Sequence, residues 1–98
     1  MAVRTTLERN WTFLTNHSHV LVCILRDPHC TVREMALAVG ITERATLRII
    51  ADLELAGFLV LEREGRRNVY RIRLNGELRH PVVSAVTAKE LLEQFKAK

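Results

Sequence analysis

Six arginines of this 98-residue chain stand in two groups, Arg44 and Arg48 in one and Arg63, Arg66, Arg67 and Arg71 in the other. A guanidinium is planar, stays charged, and presents donors in a fork that fits two phosphate oxygens or the O6 and N7 of guanine. The neighbours of each group suit the same work. Thr42, Glu43 and Leu47 flank the first, offering a hydroxyl, a carboxylate acceptor and an apolar surface, and Asn68 flanks the second with an amide. This is the chemistry of holding a polyanion, not of breaking bonds. Ser18 and Ser84 have no base and orienting group in view, and neither a glycine-rich phosphate loop nor a working carboxylate pair can be named, so no catalytic residue is assigned and an enzyme is not expected. The available metal ligands are His17, His19, His29, His80, Cys23 and Cys30. They show no Cys-x-x-Cys spacing, and His17 and His19 would lie roughly 200° apart around a helix. We therefore expect no metal site and no cofactor, with a metal- or thiol-responsive regulator kept as an alternative.

The elements that must position these arginines can be read from the capping residues. Thr31-Val32-Arg33-Glu34 has the form of a capping box and opens a helix in which Met35, Ala36 and Val39 face inward. Val39-Gly40-Ile41 supplies a residue free to take positive φ beside an apolar plug. Thr42 caps a second helix over 43–56, whose apolar stripe is Ile49, Ile50, Leu53 and Ala56 with Thr46 on the same face. Gly57 ends it. Helix, glycine turn, helix over 31–57 is the sequence form of a helix-turn-helix. The opposite face of the second helix shows Glu43, Arg44, Leu47, Arg48, Asp52 and Glu54. Apart from Glu43, its cations lie in the first half and its anions in the second, the reverse of what the helix dipole favours. Such an arrangement suits a ligand that needs positive charge at the helix start.

After Gly57 the apolar period changes from 3.6 to 2. Phe58 to Arg63 and Asn68 to Leu74 alternate as strands about a turn at Glu64-Gly65-Arg66-Arg67, a hairpin with an arginine-rich tip. Upstream, Thr15 or Asn16 caps a helix through HSHVLVCILRD that breaks at Asp27-Pro28-His29, and Phe13 or Leu14 is expected to fill core space against it, with a staple on that helix as the alternative. Downstream, Asn75-Gly76 closes the hairpin, Leu78-Arg79-His80-Pro81 is expected to be extended, and Thr87-Ala88-Lys89-Glu90 opens a short helix with Leu91, Leu92 and Phe95. The fold class is α+β, mainly α: three helices plus a hairpin wing, then a short C-terminal helix. We expect one domain over 1–98, with the helix-turn-helix at 31–57, the wing at 58–74 and the C-terminal extension at 82–98.

Bulk properties agree with this reading. A net charge of +4 fits an anionic partner, and 48% hydrophobic residues suffice for a core. The longest apolar run, Val20 to Leu25, is far short of a membrane span, no signal peptide is read at the start, and two cysteines make no disulfide framework. A cytoplasmic protein without a membrane partner is expected. Trp11, Leu91, Leu92 and Phe95 are the candidates for contact with a second copy.

The run TVREMALAVGITERATLRIIADLELAGFLVLEREGRRNVYRI resembles the winged-helix regulators of the broad MarR and ArsR grouping. The resemblance covers residues 17–74. It rests on the capped helix, the Gly-apolar-Thr turn, the Leu-x-x-Ala-Gly helix end and the Gly-Arg-Arg wing. It implies a homodimeric regulator of transcription that binds double-stranded DNA, with the helix over 43–56 in the major groove and residues 63–71 on the backbone or in the minor groove. The DNA-contacting residues would be Thr42, Glu43, Arg44, Leu47, Arg48, Arg63, Arg66, Arg67, Asn68 and Arg71. Leu47 departs from the small polar residue more usual there. A winged helix used for protein–protein contact is the alternative. No effector is implied.

Overall fold

The computed structural model describes residues 11–73 and 78–96. Its elements run α1 (Asn16–Arg26), α2 (Val32–Val39), α3 (Glu43–Leu55), β1 (Leu59–Glu64), β2 (Arg67–Ile72) and α4 (Ala88–Leu92), followed by one 3-10 turn, Glu93–Phe95. This is a winged helix-turn-helix: a three-helix core, an antiparallel two-stranded hairpin and a short C-terminal helix.

Each helix starts on a threonine. The Thr15 hydroxyl accepts from the Ser18 amide, and the Thr42 hydroxyl from the Ala45 amide. At α2 the full capping box forms. The Glu34 amide donates to Thr31 Oγ1 at 3.1 Å while the Thr31 amide donates to Glu34 Oε1 at 2.8 Å. The same reciprocal pair forms between Thr87 and Glu90 at α4. A hydroxyl at this position satisfies one of the amides that the first helical turn leaves without a partner.

Two glycines turn the chain where the motif needs it. Gly40 takes φ +87, and its amide and that of Ile41 both donate to the Ala36 carbonyl, at 2.8 and 3.1 Å. Gly57 takes φ +86. The Phe58 amide then reaches the Leu53 carbonyl and the Gly57 amide that of Glu54, the paired closure of a Schellman end. The helix therefore stops at Leu55. Ala56 is exposed at the closure instead of lying on the buried stripe.

The core gathers Val20, Leu21 and Ile24 of α1, Met35 of α2, Ile49, Ile50 and Leu53 of α3, and Leu59 and Tyr70 of the hairpin. Thr46 is wholly buried among them. Its hydroxyl donates to the Thr42 carbonyl at 2.9 Å, so the polar atom carries no desolvation cost without a partner. Leu92 belongs to the same cluster, 2% exposed. This corrects the expectation of a dimer contact there: the side chain is committed to its own core and has no surface to offer.

Three further expectations change. Phe13 is 92% exposed, so it fills no core space. The hairpin does not alternate cleanly, since neighbours Val69 and Tyr70 are both buried. Tyr70 faces the helices. Val69 lies on the other face, the one that carries Glu62 and Glu64, where the α1–α2 loop closes over the hairpin: the Tyr70 amide donates to the Pro28 carbonyl at 3.1 Å and His29 Nε2 meets Glu64 Oε1 at 3.4 Å. Finally, the residues about Pro81 turn rather than extend. Val83 donates to the His80 carbonyl and Val86 to that of Val83, while Leu78 donates back to Val86, as a proline with fixed φ and no amide proton readily starts a turn. Leu74 and Asn75-Gly76 lie outside the described residues.

Candidate nucleic-acid interface

The buried stripe of α3 decides which side chains it displays. With Thr46, Ile49, Ile50 and Leu53 packed inward, Glu43, Arg44, Leu47 and Arg48 must project outward, and all four are exposed. Thr42 at the cap is exposed as well. Among the described residues neither Arg44 nor Arg48 has a carboxylate partner, although Glu43 stands in the same turn. The second half of the helix is arranged differently. Asp52 is held by His17 of α1, Nε2 to Oδ2 at 2.9 Å, so its carboxylate is drawn toward the end of α3 that adjoins α1. The outward surface of α3 is thus cationic over its first two turns.

The wing places its arginines with similar economy of means. Glu64 and Arg67 pair across the hairpin, so the turn between them is Gly65-Arg66. Gly65 takes φ +64, and no described non-glycine residue has positive φ, which makes this a type II′ turn with glycine at its first central position. Its twist matches that of the strands, and it throws Arg66 to the very tip. Arg63, Arg66, Arg67 and Asn68 are all exposed. Arg71 is exposed too, but it is engaged: Nε meets Glu62 Oε1 at 2.5 Å and a second nitrogen lies 3.8 Å from Glu64 Oε2. The Glu62 hydrogen bond and charge, helped by Glu64, push its pKa further up. Among the described residues it is the one wing arginine of the four that faces a carboxylate.

The candidate residues therefore fall into two surfaces, the first half of α3 and the tip of the wing, both anchored on one core. Reading the residues in order did not reveal what steadies them. His17–Asp52 and His29–Glu64 each join residues 35 positions apart. The only signal was a histidine and a carboxylate of matching reach, which chains contain by the dozen. Burial pushes the Cys30 thiol up to about 11 and raises Cys23 as well, and a neutral thiol is a poor nucleophile and metal ligand. Among the described residues no three of His, Cys, Asp and Glu converge as ligands, and no helix is long and apolar enough to cross a membrane.

Residues 14–60 match the family model of winged helix-turn-helix DNA-binding domains. No curated protein matches the chain. The matched stretch opens at Leu14, just before the cap of α1, and closes at Val60 inside β1. It therefore takes in all three core helices and the entry to the wing. Joined to the observed hairpin, it makes the fold a winged helix-turn-helix that is similar, over 14–60, to the DNA-binding family.

Proposed function

We propose that the chain is a non-enzymatic, cytoplasmic transcriptional regulator of the broad MarR/ArsR-like grouping that binds specific duplex DNA as a homodimer. In this reading residues 1–98 form a single winged-helix unit. The first half of α3 enters the major groove, where Arg44, Arg48 and Leu47 reach base edges and Thr42 and Glu43 border the backbone. The wing follows the backbone or enters the adjacent minor groove, where Arg66 and Arg67 meet a concentrated negative potential, with Arg63 and Asn68 beside them. Arg71 shapes the wing through Glu62 and Glu64 more than it contacts DNA. Occupying a site is enough to block a promoter, so repression is the role that asks least of the fold. Two-fold pairing, with Trp11, Leu91 and Phe95 as contact residues, would set half-sites about 34 Å apart.

The observation that carries this reading is the outward face of α3. Arg44, Leu47 and Arg48 stand exposed, the two arginines without a carboxylate partner among the described residues, at the end where the helix dipole disfavours cations, while the opposite face is locked into the core. A second reading, a protein-interaction module, is favoured by exposed Leu37 and Leu47, which a protein partner would cover. Salt separates the two. Binding to duplex DNA, followed by fluorescence anisotropy, should weaken log-linearly with salt at a slope of about −0.9 per phosphate neutralised. Binding that is absent, or flat with salt, would favour the protein partner.

A further inference from the structure

We propose that Trp11 and Phe13 of one protomer fill an apolar groove on its two-fold mate, so that each copy of the chain lends its N-terminal arm to the other. The inference rests on the homodimer in the reading above and names the surfaces that join.

The groove lies between α1, the end of α3 and the C-terminal segment. Its volume is about 470 Å³, the size of a cavity that takes a bulky organic body, and its apolar walls include Leu21, Leu53, Leu55, Phe58 and Leu91. Its polar lining includes the hydrogen-bonded pair His17 and Asp52, and Arg79. Leu55 at the lip is 91% exposed, although α3 could have ended on a polar residue at no structural cost. A few residues away in sequence the chain shows the opposite fault. Trp11 is 69% and Phe13 92% exposed, two large aromatics left uncovered by the other described residues. The same chain thus displays a groove without a filling and a filling without a groove.

The arm joins the folded chain at the groove's edge: Thr12 Oγ1 hydrogen-bonds to the Leu14 carbonyl, and Thr15, which lines the groove, immediately caps α1. A segment anchored at that edge suits exchange with a neighbour. A two-fold axis makes the exchange reciprocal, since each surface meets its complement once on each copy. Trp and Phe bury roughly 150–250 Å² each, so two exchanged arms with their walls reach the order of 1,000 Å², the lower end of a specific interface. Because Asp52 lines the groove, an exchanged arm would touch the rear of α3 and set the spacing of the two reading helices.

Trp11 is the only tryptophan, so its emission reports on the arm alone. Mass by sedimentation and tryptophan emission should be measured over one dilution series of the full chain, without DNA. The expected result is a monomer–dimer transition in which emission moves to the blue in step with mass. The double variant Trp11→Ser, Phe13→Ser and the lip variant Leu55→Glu should each weaken association at least about tenfold, as loss of a buried anchor does, with helix content unchanged because all three sites are exposed. Three results overturn the proposal: a monomer at every concentration, a dimer whose tryptophan emission stays that of an exposed ring, or a blue-shifted emission already present in the monomer, which would mean that the chain's own residues or another molecule fill the groove. The first also removes the homodimer; the second leaves it standing on a different surface. None of these outcomes depends on DNA.

Discussion

The reading helix and the wing both present arginines, but they hold them by different means. In α3, Arg44 and Arg48 sit on a rigid support, capped at Thr42, closed at Gly57 and pinned by Thr46, Ile49, Ile50 and Leu53. In the wing, Arg66 and Arg67 stand at the end of two strands whose outer rungs are exposed; Leu59, Val69, Tyr70 and the Pro28 contact pack the inner part of the hairpin, and near the tip the support is one exposed side-chain contact, His29 to Glu64. Reading a base edge demands position to within a fraction of an ångström. Neutralising a phosphate does not. The difference in support therefore assigns sequence preference to the helix and general affinity to the wing.

The largest effect should come from loosening the helix seat. Ile50→Ala removes a buried branched side chain and should cost about 2–5 kcal/mol of folding stability, read by chemical denaturation. For a domain of this size that is a large share of the total, and DNA binding should fail with it. A change near zero would mean that α3 is not held as described.

Next comes the helix surface. Arg44→Ala should lower affinity for the preferred site by about 1–3 kcal/mol and relax the sequence preference, leaving affinity for random duplex nearly unchanged. Anisotropy on matched and scrambled duplexes reads both. Arg66→Ala should instead weaken binding to both duplexes alike and reduce the salt slope by about 1. If the two variants behaved identically, the division of labour between helix and wing would be wrong.

The smallest effect separates one wing arginine from another. Arg71 already faces Glu62 and Glu64, so Arg71→Ala should change the salt slope by well under the value of about 1 expected for Arg66. An effect as large as that of Arg66→Ala would show that Arg71 abandons Glu62 for a phosphate.

Most of the architecture was legible in the sequence because its signals are local. The Thr31–Glu34 box, the positive φ at Gly40 and Gly57, and the change of period after Gly57 each depend on a few neighbouring residues. What the chain did not disclose depends on distant partners. Leu92 reads as one side of an amphipathic helix whether it meets its own core or another protomer, and only the folded chain places it in one cluster with Leu53 and Leu59. Phe13 reads as core filler until the cap at Thr15 and the bend before it send the side chain outward. Asp27-Pro28-His29 reads as a helix breaker, and its second task, fastening the hairpin through Pro28 and His29, arises from contacts some 35 to 42 residues away. The candidate site was legible as a set of arginines. Which of them is neutralised was not, because Glu62 and Arg71 meet only once the register of the hairpin is set.

The central claim is that α3 reads sequence while the wing supplies affinity, and selection from a random duplex pool tests it most directly. The wild-type chain should enrich a defined motif with half-sites about 34 Å apart. Arg66→Ala should enrich the same motif in lower yield, and Arg44→Ala should lose the preference at the positions that the start of α3 faces. Recovery of no motif by the wild-type chain, or of an unchanged motif by Arg44→Ala, would contradict the account.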